Sequence, residues 1–480
     1  MRKLYRFNGG VHPPQHKADS SRQPIQKPPL PEKLVIPLHQ HIGNSAKAIV
    51  EAGEIVLKGQ MIGKAEGYVS SAVHAPTSGK ILSVGFEPVP HPSGLNDLCI
   101  TLIPDGREEW IALQPLDYPN MDPNALRNRL RDAGVVGLGG AVFPSFIKLN
   151  AANKKIRTLV LNGAECEPYI TCDDLLMQER ATEIVEGAKI MRHMLQAEEV
   201  VLGIEDNKPR AISAMKEAAE GNEIEVVAVP TIYPGGGAKQ LIRVLTGIEV
   251  PAGERSTDLG VQCFNVATAA SVYRAVHFGE PVLSRIVTVT GNVRHPGNYD
   301  ALIGTPIDHL IAQAERLDGS TGAIMGGPMM GFDLPSTSVP VVKATNCVIV
   351  KSRKLFPEKP QPMPCIRCGK CAESCPADLQ PQELYWFSKA ENFGKAQEYA
   401  LFDCIECGAC SYVCPSHIPL VQFYRYAKSE IWAQEREKKA ADLARFRHDF
   451  RLERMEREKR EKAEKLAQKS AQDAKPMEKE

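Results

Sequence analysis

Eight of the thirteen cysteines in this 480-residue chain sit in two short runs, PCIRCGKCAESCP at 364–376 and DCIECGACSYVCP at 403–415. Both read C-x2-C-x2-C-x3-C-P, and this doubled spacing narrows the possible chemistry more than any other feature. Three sulfurs of such a loop converge on one iron–sulfur cubane, while the fourth cysteine of each run reaches the other cluster. The expected ligand sets are therefore Cys365, Cys368, Cys371 and Cys414 for one 4Fe-4S cluster, and Cys404, Cys407, Cys410 and Cys375 for the other. Gly369 and Gly408 let the backbone pass close to each inorganic core, and the prolines turn the chain away. A structural zinc takes four ligands, usually as two C-x2-C pairs, and the third and fourth cysteines of each run overshoot that need. Disulfides are not expected, since MRKLYRFNGGVHPP at the start has basic residues but no apolar core of a secretion signal.

The remaining cysteines, Cys99, Cys166, Cys172, Cys263 and Cys347, are scattered and read as small buried apolar side chains, with Cys166 and Cys172 flanking an acidic loop. Lys and Arg balance Asp and Glu at 58 each, which removes any bulk-charge argument for nucleic acid. No apolar stretch approaches the roughly 18 residues that span a bilayer, so a soluble protein in a reducing compartment is expected. The length suggests about three or four domains.

Residues 1–33 are rich in proline and polar residues and read as an extended arm that wraps or tethers. Over 34–110, short β-prone runs alternate with glycine turns, and the rhythm resembles the barrel-sandwich hybrid of biotinyl and lipoyl carriers. Such carriers present a lysine at the hairpin tip, whereas this tip reads SSAVHAP, so a scaffold role is expected.

An α/β domain is expected over 111–282. Asp122 and Pro123 start a helix with Leu126, Leu130 and Ala133 on one face. GVVGLGGAVFPSFIKL, 134–149, is a glycine-rich loop opening into a helix from Pro144, with Lys148 one turn in. Glycine amides, a helix start and a lysine together suit a phosphate, although glycine loops are commonly tight turns. TLVLNGAECEPYITCDD, 158–174, runs from a buried-type strand into a loop holding Asn162, Glu165, Glu167 and two aspartates. A βαβ unit follows and ends in YPGGGAKQLIRVLTG, a second glycine loop entering a helix with Lys239. VQCFNVATAASVYRAV then places Asn265 and Thr268 just before a helical pattern. Carboxylates and amides beside a phosphate loop suit ring and ribityl hydroxyls.

GLGGAVFPSFIK, NGAECEP and FNVAT, in that order, resemble the flavin-binding loops of the NADH-oxidising flavoprotein subunit of respiratory NADH dehydrogenase. With the barrel-sandwich start and the doubled cysteine runs, the whole order over about 30–425 resembles more closely the RnfC family, a subunit of the Rnf (Rsx) ion-motive electron-transport complexes. The resemblance implies noncovalent FMN lined by Gly137, Gly139, Gly140, Lys148, Asn162, Glu165, Glu167, Asn265 and Thr268, with NADH stacking on its exposed face. It implies nicotinamide contacts at Tyr233 and Lys239, where YPGGGAKQ departs from the glutamate pair of the respiratory subunit. It also implies a β-grasp module of the soluble-ligand-binding type (SLBB) over 283–340, and a ferredoxin domain over 341–430 that is of the helical two-cluster type. Implied partners are the other subunits of the membrane complex, an iron–sulfur subunit in particular, with ferredoxin reached indirectly. The implied location is the cytoplasmic face of the bacterial inner membrane, held there by partners.

GGPMMGF at 326–332 reads as a packing turn, and 431–480 as a charged helical or solvated tail with a brief stripe of Leu443, Phe446 and Phe450. The expected architecture is thus multidomain, combining β, Rossmann-like α/β and α parts. The expected activity is passage of electrons between NAD(H), FMN and two clusters, with no side chain acting as a covalent nucleophile. Two rivals remain: a cluster-only adapter without flavin, and a redox-sensing ligand-binding protein.

Overall fold

The computed structural model describes residues 2–150, 154–358 and 360–473, which fall into two compact units. The larger holds residues up to 381 together with 403–418, and the smaller holds 382–402 and the chain from 419 onward. All eight cysteines of the two runs belong to the larger unit.

The first domain of the larger unit is built from two small sheets. β1 (Leu34–Pro37), β7 (Asn96–Pro104), β6 (Gly79–Pro88) and β3 (Ile55–Val56) form one, in that order. β2 (Lys47–Ala48), β4 (Met61–Lys64) and β5 (Val73–His74) form the other. Their apolar residues, Leu34, Ile36, Ile62, Ile81, Ile100 and Leu102, are fully buried, which is what the alternation in those runs demands. The carrier-type tip is itself a packing surface: Ser70, Ser71, Ala72, His74 and Thr77 are all buried. Lys343 donates to the carbonyls of Ala72 (3.1 Å) and Gly134 (2.6 Å), joining this tip to the start of the next domain.

That next domain begins with α1 (Pro123–Asp132) and the single turn α2 (Ser145–Lys148). Its sheet is wholly parallel, in the order β10 (Ile224–Val229), β9 (Glu199–Glu205), β8 (Thr158–Gly163), β11 (Val261–Asn265). Helices α3 (Cys172–Glu179), α4 (Ala181–Leu195), α5 (Pro209–Ala219), α6 (Ala238–Thr246) and α7 (Val266–Tyr273) connect or flank the strands. Because β9 and β10 are added on one side of β8 and β11 on the other, the order reverses between β8 and β11. In such sheets ligands bind beyond the carboxyl ends of the strands at this reversal.

β12 (Ser284–Gly291), β13 (Gly297–Leu302), α8 (Ile307–Gln313), β14 (Ser320–Met325), β15 (Phe332–Asp333) and β16 (Cys347–Ser352) make the third domain, with sheet order β13-β12-β16-β14-β15. This corrects the expected boundary at 340. NCVIVKS supplies a central strand, parallel to β12 and antiparallel to β14, and Val348 and Val350 are buried in that core.

α9 (Lys370–Glu373) lies within the first cysteine run. In the smaller unit, α10 (Pro381–Lys389) and α11 (Phe393–Glu398) accompany a long terminal helix. α12 (Ala409–Tyr412) repeats in the second run the position of α9 in the first, and α13 (Leu420–Asp473) is that terminal helix. Within this smaller unit Tyr385 packs edge-on against Phe423, with ring centres 4.9 Å apart, and Phe402 packs against Trp432. The expected tail is one helix continuous with this packing, and from 434 to 470 every residue is exposed, Leu443, Phe446 and Phe450 included. The last seven residues of the expected tail lie outside the described residues.

Candidate functional site

The carboxyl ends of β8 and β11 meet at Asn162 and Asn265, which face each other in register. Asn265 caps α7 by accepting from the Ala267 amide (2.9 Å), and its Nδ2 donates to Asp173 Oδ2 (2.5 Å). Thr268, one turn into α7, accepts at Oγ1 from the Leu138 amide (2.9 Å), which fastens the first glycine loop to the helix. Gly139 lies so close to Asn265 that a Cβ there would stand 3.1 Å from that residue's Cβ. Gly140 has φ +109° with open space beside it, a conformation that glycine supplies without strain. The Gly137 amide closes the loop onto the Phe143 carbonyl (2.8 Å). The sequence thus brings Gly137, Gly139, Gly140, Asn162, Asn265 and Thr268 to one end of the sheet.

Lys148 packs against β11 just before Asn265. Its ammonium donates to the Cys263 carbonyl (2.5 Å) and lies 4.4 Å from the centre of the Phe264 ring, and burial lowers its pKa. Asn162 ties the two glycine loops' neighbourhoods together by donating to the Gly236 carbonyl (2.8 Å).

The acidic loop after β8 is held by two buried ammoniums. Lys208 donates to the Ala164 carbonyl (2.7 Å) and to Glu205 (2.8 Å). Lys17, from the N-terminal arm, donates to the carbonyls of Glu165 (2.8 Å), Glu167 (2.8 Å) and Ile170 (2.6 Å). Glu165 accepts from the Asp173 amide (2.7 Å), its Oε2 has no partner, and burial lifts its pKa to about 8. Burial likewise raises Asp173. Sequence reasoning misses Lys17 altogether, because nothing in a proline-rich arm marks one lysine among several. Asp173, one of the two aspartates the sequence places in the acidic loop, lies in the first turn of α3, and sequence alone gives it no role.

Three expected residues are engaged elsewhere. Glu167 turns its carboxylate to the GGPMMG turn, accepting from the amides of Met329 (2.7 Å) and Met330 (3.1 Å), so that turn clamps a glutamate as well as packing. Tyr233 is 1% exposed and donates through its hydroxyl to the Cys407 carbonyl (2.6 Å). A ring so buried is no platform for nicotinamide, which corrects the expectation from the resemblance. Lys239 points to the carbonyls of Val250 (3.5 Å) and Pro251 (3.3 Å), since α6 carries it toward that loop.

The two cysteine runs have the same backbone. Arg367 and Glu406, Gly369 and Gly408, and Asp378 and His417 share positive φ values at matching places, offset by the spacing between Cys365 and Cys404. In both, the amide two residues on donates to the first cysteine: Arg367 to Cys365 Sγ and Glu406 to Cys404 Sγ, each at 3.4 Å. Leu379 donates to Cys375 Sγ at the same distance. Amide bonds of this kind stabilise ligating thiolates and tune cluster potentials. Cys375 lies within electrostatic reach of both Cys407 and Cys410, whereas Cys371 reaches Cys365 and Cys368 of its own run and Cys410 of the other. Cys414 is carried toward the first run by Ser416, whose hydroxyl donates to the Pro364 carbonyl (2.9 Å) and whose carbonyl accepts from Met363 (2.9 Å).

These thiols do not converge on a single ion. Among the described residues only Glu165, Cys172 and Asp173 bring three ligand atoms within 4.8 Å of one another. Thiolates about 2.3 Å from a tetrahedral zinc would stand roughly 3.8 Å apart. The backbone N–H donors on Cys365, Cys375 and Cys404 suit cluster ligands. Burial pushes the Cys407 thiol up to about 12, so a bound cation is what would hold it as thiolate.

The second run also packs on the flavin-type loops. Val11, Cys166, Tyr233, Cys407 and Ala409 share one buried apolar cluster, joined by Met329 and Ile405. Cys407 and Cys410 are buried, whereas Cys368 of the first run is exposed. The five scattered cysteines are all buried.

Known families match these same segments. Family models described as RnfC barrel sandwich hybrid domain, Nuo51 FMN-binding domain, SLBB domain and 4Fe-4S dicluster domain match residues 5–107, 130–274, 286–333 and 359–431. The RnfC-type subunit of the ion-translocating oxidoreductase complex of Edwardsiella ictaluri is 50% identical over 404 residues, covering 83% of this chain. This chain belongs to the RnfC family of such complexes. The corresponding subunit of Pasteurella multocida is 47% identical over 84% of the chain, and that of Yersinia pestis 48% over 84%. The chain spans 48%, 50% and 65% of the length of the Pasteurella, Edwardsiella and Yersinia relatives. An NAD+-reducing NiFe hydrogenase is a weaker likeness, at TM-score 0.47 and 20% identity over 60% of both chains. This RnfC-family chain thus carries an FMN-binding and a two-cluster 4Fe-4S domain. Among its described residues no helix is long and apolar enough to cross a membrane.

Proposed function

We propose that this chain passes electrons between NAD(H) and a protein partner by way of FMN and two 4Fe-4S clusters, as a peripheral subunit of an ion-translocating oxidoreductase complex. The partner is a neighbouring iron–sulfur subunit of that complex on the cytoplasmic face of the membrane, and ferredoxin exchanges electrons through it. The observation that carries the reading is the junction at Tyr233, where the second glycine loop, the acidic loop and the Cys404–Cys410 run pack together.

Bound FMN would supply the step from paired to single electrons, since a hydride carries two together and a cubane carries one. Gly139, Gly140, Asn265 and Thr268 would hold its phosphate end at the start of α7, where backbone amides and the helix terminus favour an anion. Lys148 would brace β11 just before Asn265 through the Cys263 carbonyl. Cys404, Cys407, Cys410 and Cys375 would hold the inner cluster, because their loop packs on the flavin-type loops through Cys407. Cys365, Cys368, Cys371 and Cys414 would hold the outer one, whose rim exposes Cys368, Met363 and Ile366 for transfer to the partner. Tyr233 and the apolar side chains around it exclude water from the junction.

Anaerobic purification followed by counts of iron, acid-labile sulfide and FMN tests the assignment. Two clusters and one FMN per chain are expected. Two clusters with no flavin uptake would favour the adapter without flavin, and zinc in place of iron would overturn the cluster assignment.

A further inference from the structure

The N-terminal arm crosses the site rather than merely tethering the chain. The Gly10 amide donates to the Ser374 carbonyl (3.0 Å) in the first cysteine run. Val11 and Tyr233 exchange backbone hydrogen bonds in both directions (2.8 and 2.9 Å). The Gln15 carbonyl accepts from the Tyr169 amide (2.8 Å), and the His16 ring stacks on Tyr169 at 4.6 Å. Lys17 then inserts its ammonium among three carbonyls of the acidic loop.

Bonds to carbonyl oxygens fix the opposite side of each peptide plane, because the C=O and N–H of one trans peptide point in opposite directions. Lys208, by holding the Ala164 carbonyl, sets the direction of the Glu165 N–H. Lys17, by holding the Glu165 carbonyl, sets that of the Cys166 N–H. Neither amide meets an acceptor among the described residues. Glu165 and Tyr169 have φ of +52° and +70°, so the loop adopts backbone conformations that non-glycine residues seldom hold without outside support. Successive amides aimed the same way in such a turn make a concavity for anionic or carbonyl oxygen.

From this we infer that Lys17 is a positioning residue for the flavin: its ammonium holds the 165–170 loop so that the Glu165 and Cys166 amides face the bound cofactor. The inference rests on the flavin assignment above. Lys17 does not touch the flavin and acts through the loop. Amide donors aimed at the flavin favour its reduced, more negative form over the oxidised one.

The test uses the full chain, prepared anaerobically and supplied with FMN, comparing wild type with Lys17→Met and Lys17→Arg. FMN affinity, flavin midpoint potential and iron content are measured together. Lys17→Met is expected to weaken FMN binding at least tenfold and lower the flavin potential with iron content unchanged, and Lys17→Arg to recover part of both. Wild-type affinity and potential in Lys17→Met would overturn the inference while leaving the flavin assignment intact. A wild-type chain that takes up no FMN would overturn both. Should Lys17→Met lose iron as well, hydrogen exchange on the wild type decides: FMN must slow exchange in residues 15–18 together with 164–170, and protection confined to the glycine loop would refute the role of Lys17.

Discussion

Cys375 shows how a single residue can carry a topological statement. It belongs to the first run in sequence, yet it lies within electrostatic reach of Cys407 and Cys410 of the second. Cys375→Ala is therefore expected to remove the cluster of the second run and spare the other, leaving about half the iron by chemical analysis. Retention of the second-run signal with loss of the first-run signal would reverse the exchange of ligands. Glu165 makes a different prediction, through pH. Burial lifts its folded pKa to about 8, above an unfolded value of about 4.3. A carboxyl with a raised folded pKa keeps its proton in the fold, so the folded state loses ground as the pH climbs between those two values. Glu165→Gln should gain in thermal midpoint over wild type progressively between pH 5 and 8, and the gain should level off above that. A difference that stays constant with pH would show that Glu165 is ionised throughout.

Elements explain where such residues are pinned. α4 and α7 pack at Gly187, where a Cβ would stand 1.9 Å from the Ala269 carbonyl oxygen. Gly187→Ala must push the two helices apart, and a loss of about 1–3 kcal/mol in denaturant unfolding is expected, with weaker FMN retention because α7 carries Asn265 and Thr268. The barrel tip, the loop at His41 and the 342–345 segment meet in a second tight place. His41 and His74 are both buried there, near Lys343, with pKa values lowered to about 4 and about 3 by burial first and by Lys343 second, and His39 adds to the effect at His41. Their unfolded values lie near 6.5, so the unfolded chain binds more protons below that pH, and stability falls from there toward pH 4 and below. Replacing both by Gln should flatten this acid limb by up to about 1.4 kcal/mol per pH unit for each histidine, as read by denaturant melts across pH 7 to 4. An unchanged slope would place the acid sensitivity elsewhere.

Elements also mark how far the sequence reaches. The cysteine code is legible because ligand spacing is local, and the glycine loops are because Gly139, Asn265 and Thr268 sit in short runs whose chemistry is carried by neighbours. β16 is not, since NCVIVKS becomes a central strand only by pairing with β12, some sixty residues earlier, and β14. Lys17, and the packing of Tyr233 on the second cysteine run, escape a reading of sequence for the same reason: the partners, Glu165 and Cys407, are distant in the chain and meet them only in the folded core.

At the scale of the whole molecule, the proposed route joins the carboxyl ends of β8 and β11 to the cluster beside Tyr233 and to the one at Cys368. The arm and the GGPMMG turn both close on the acidic loop, through Lys17 and the amides that hold Glu167, while Lys343 ties the barrel tip to Gly134 at the start of the first glycine loop. The most direct test is rapid anaerobic mixing of the FMN-loaded chain with NADH, frozen at intervals and read by electron paramagnetic resonance. A reduced 4Fe-4S signal is expected that requires FMN and that survives Cys368→Ala, which disables only the outer cluster. A cluster signal that arises equally fast without FMN, or that vanishes in Cys368→Ala while the inner cluster is still present, would contradict the proposed route.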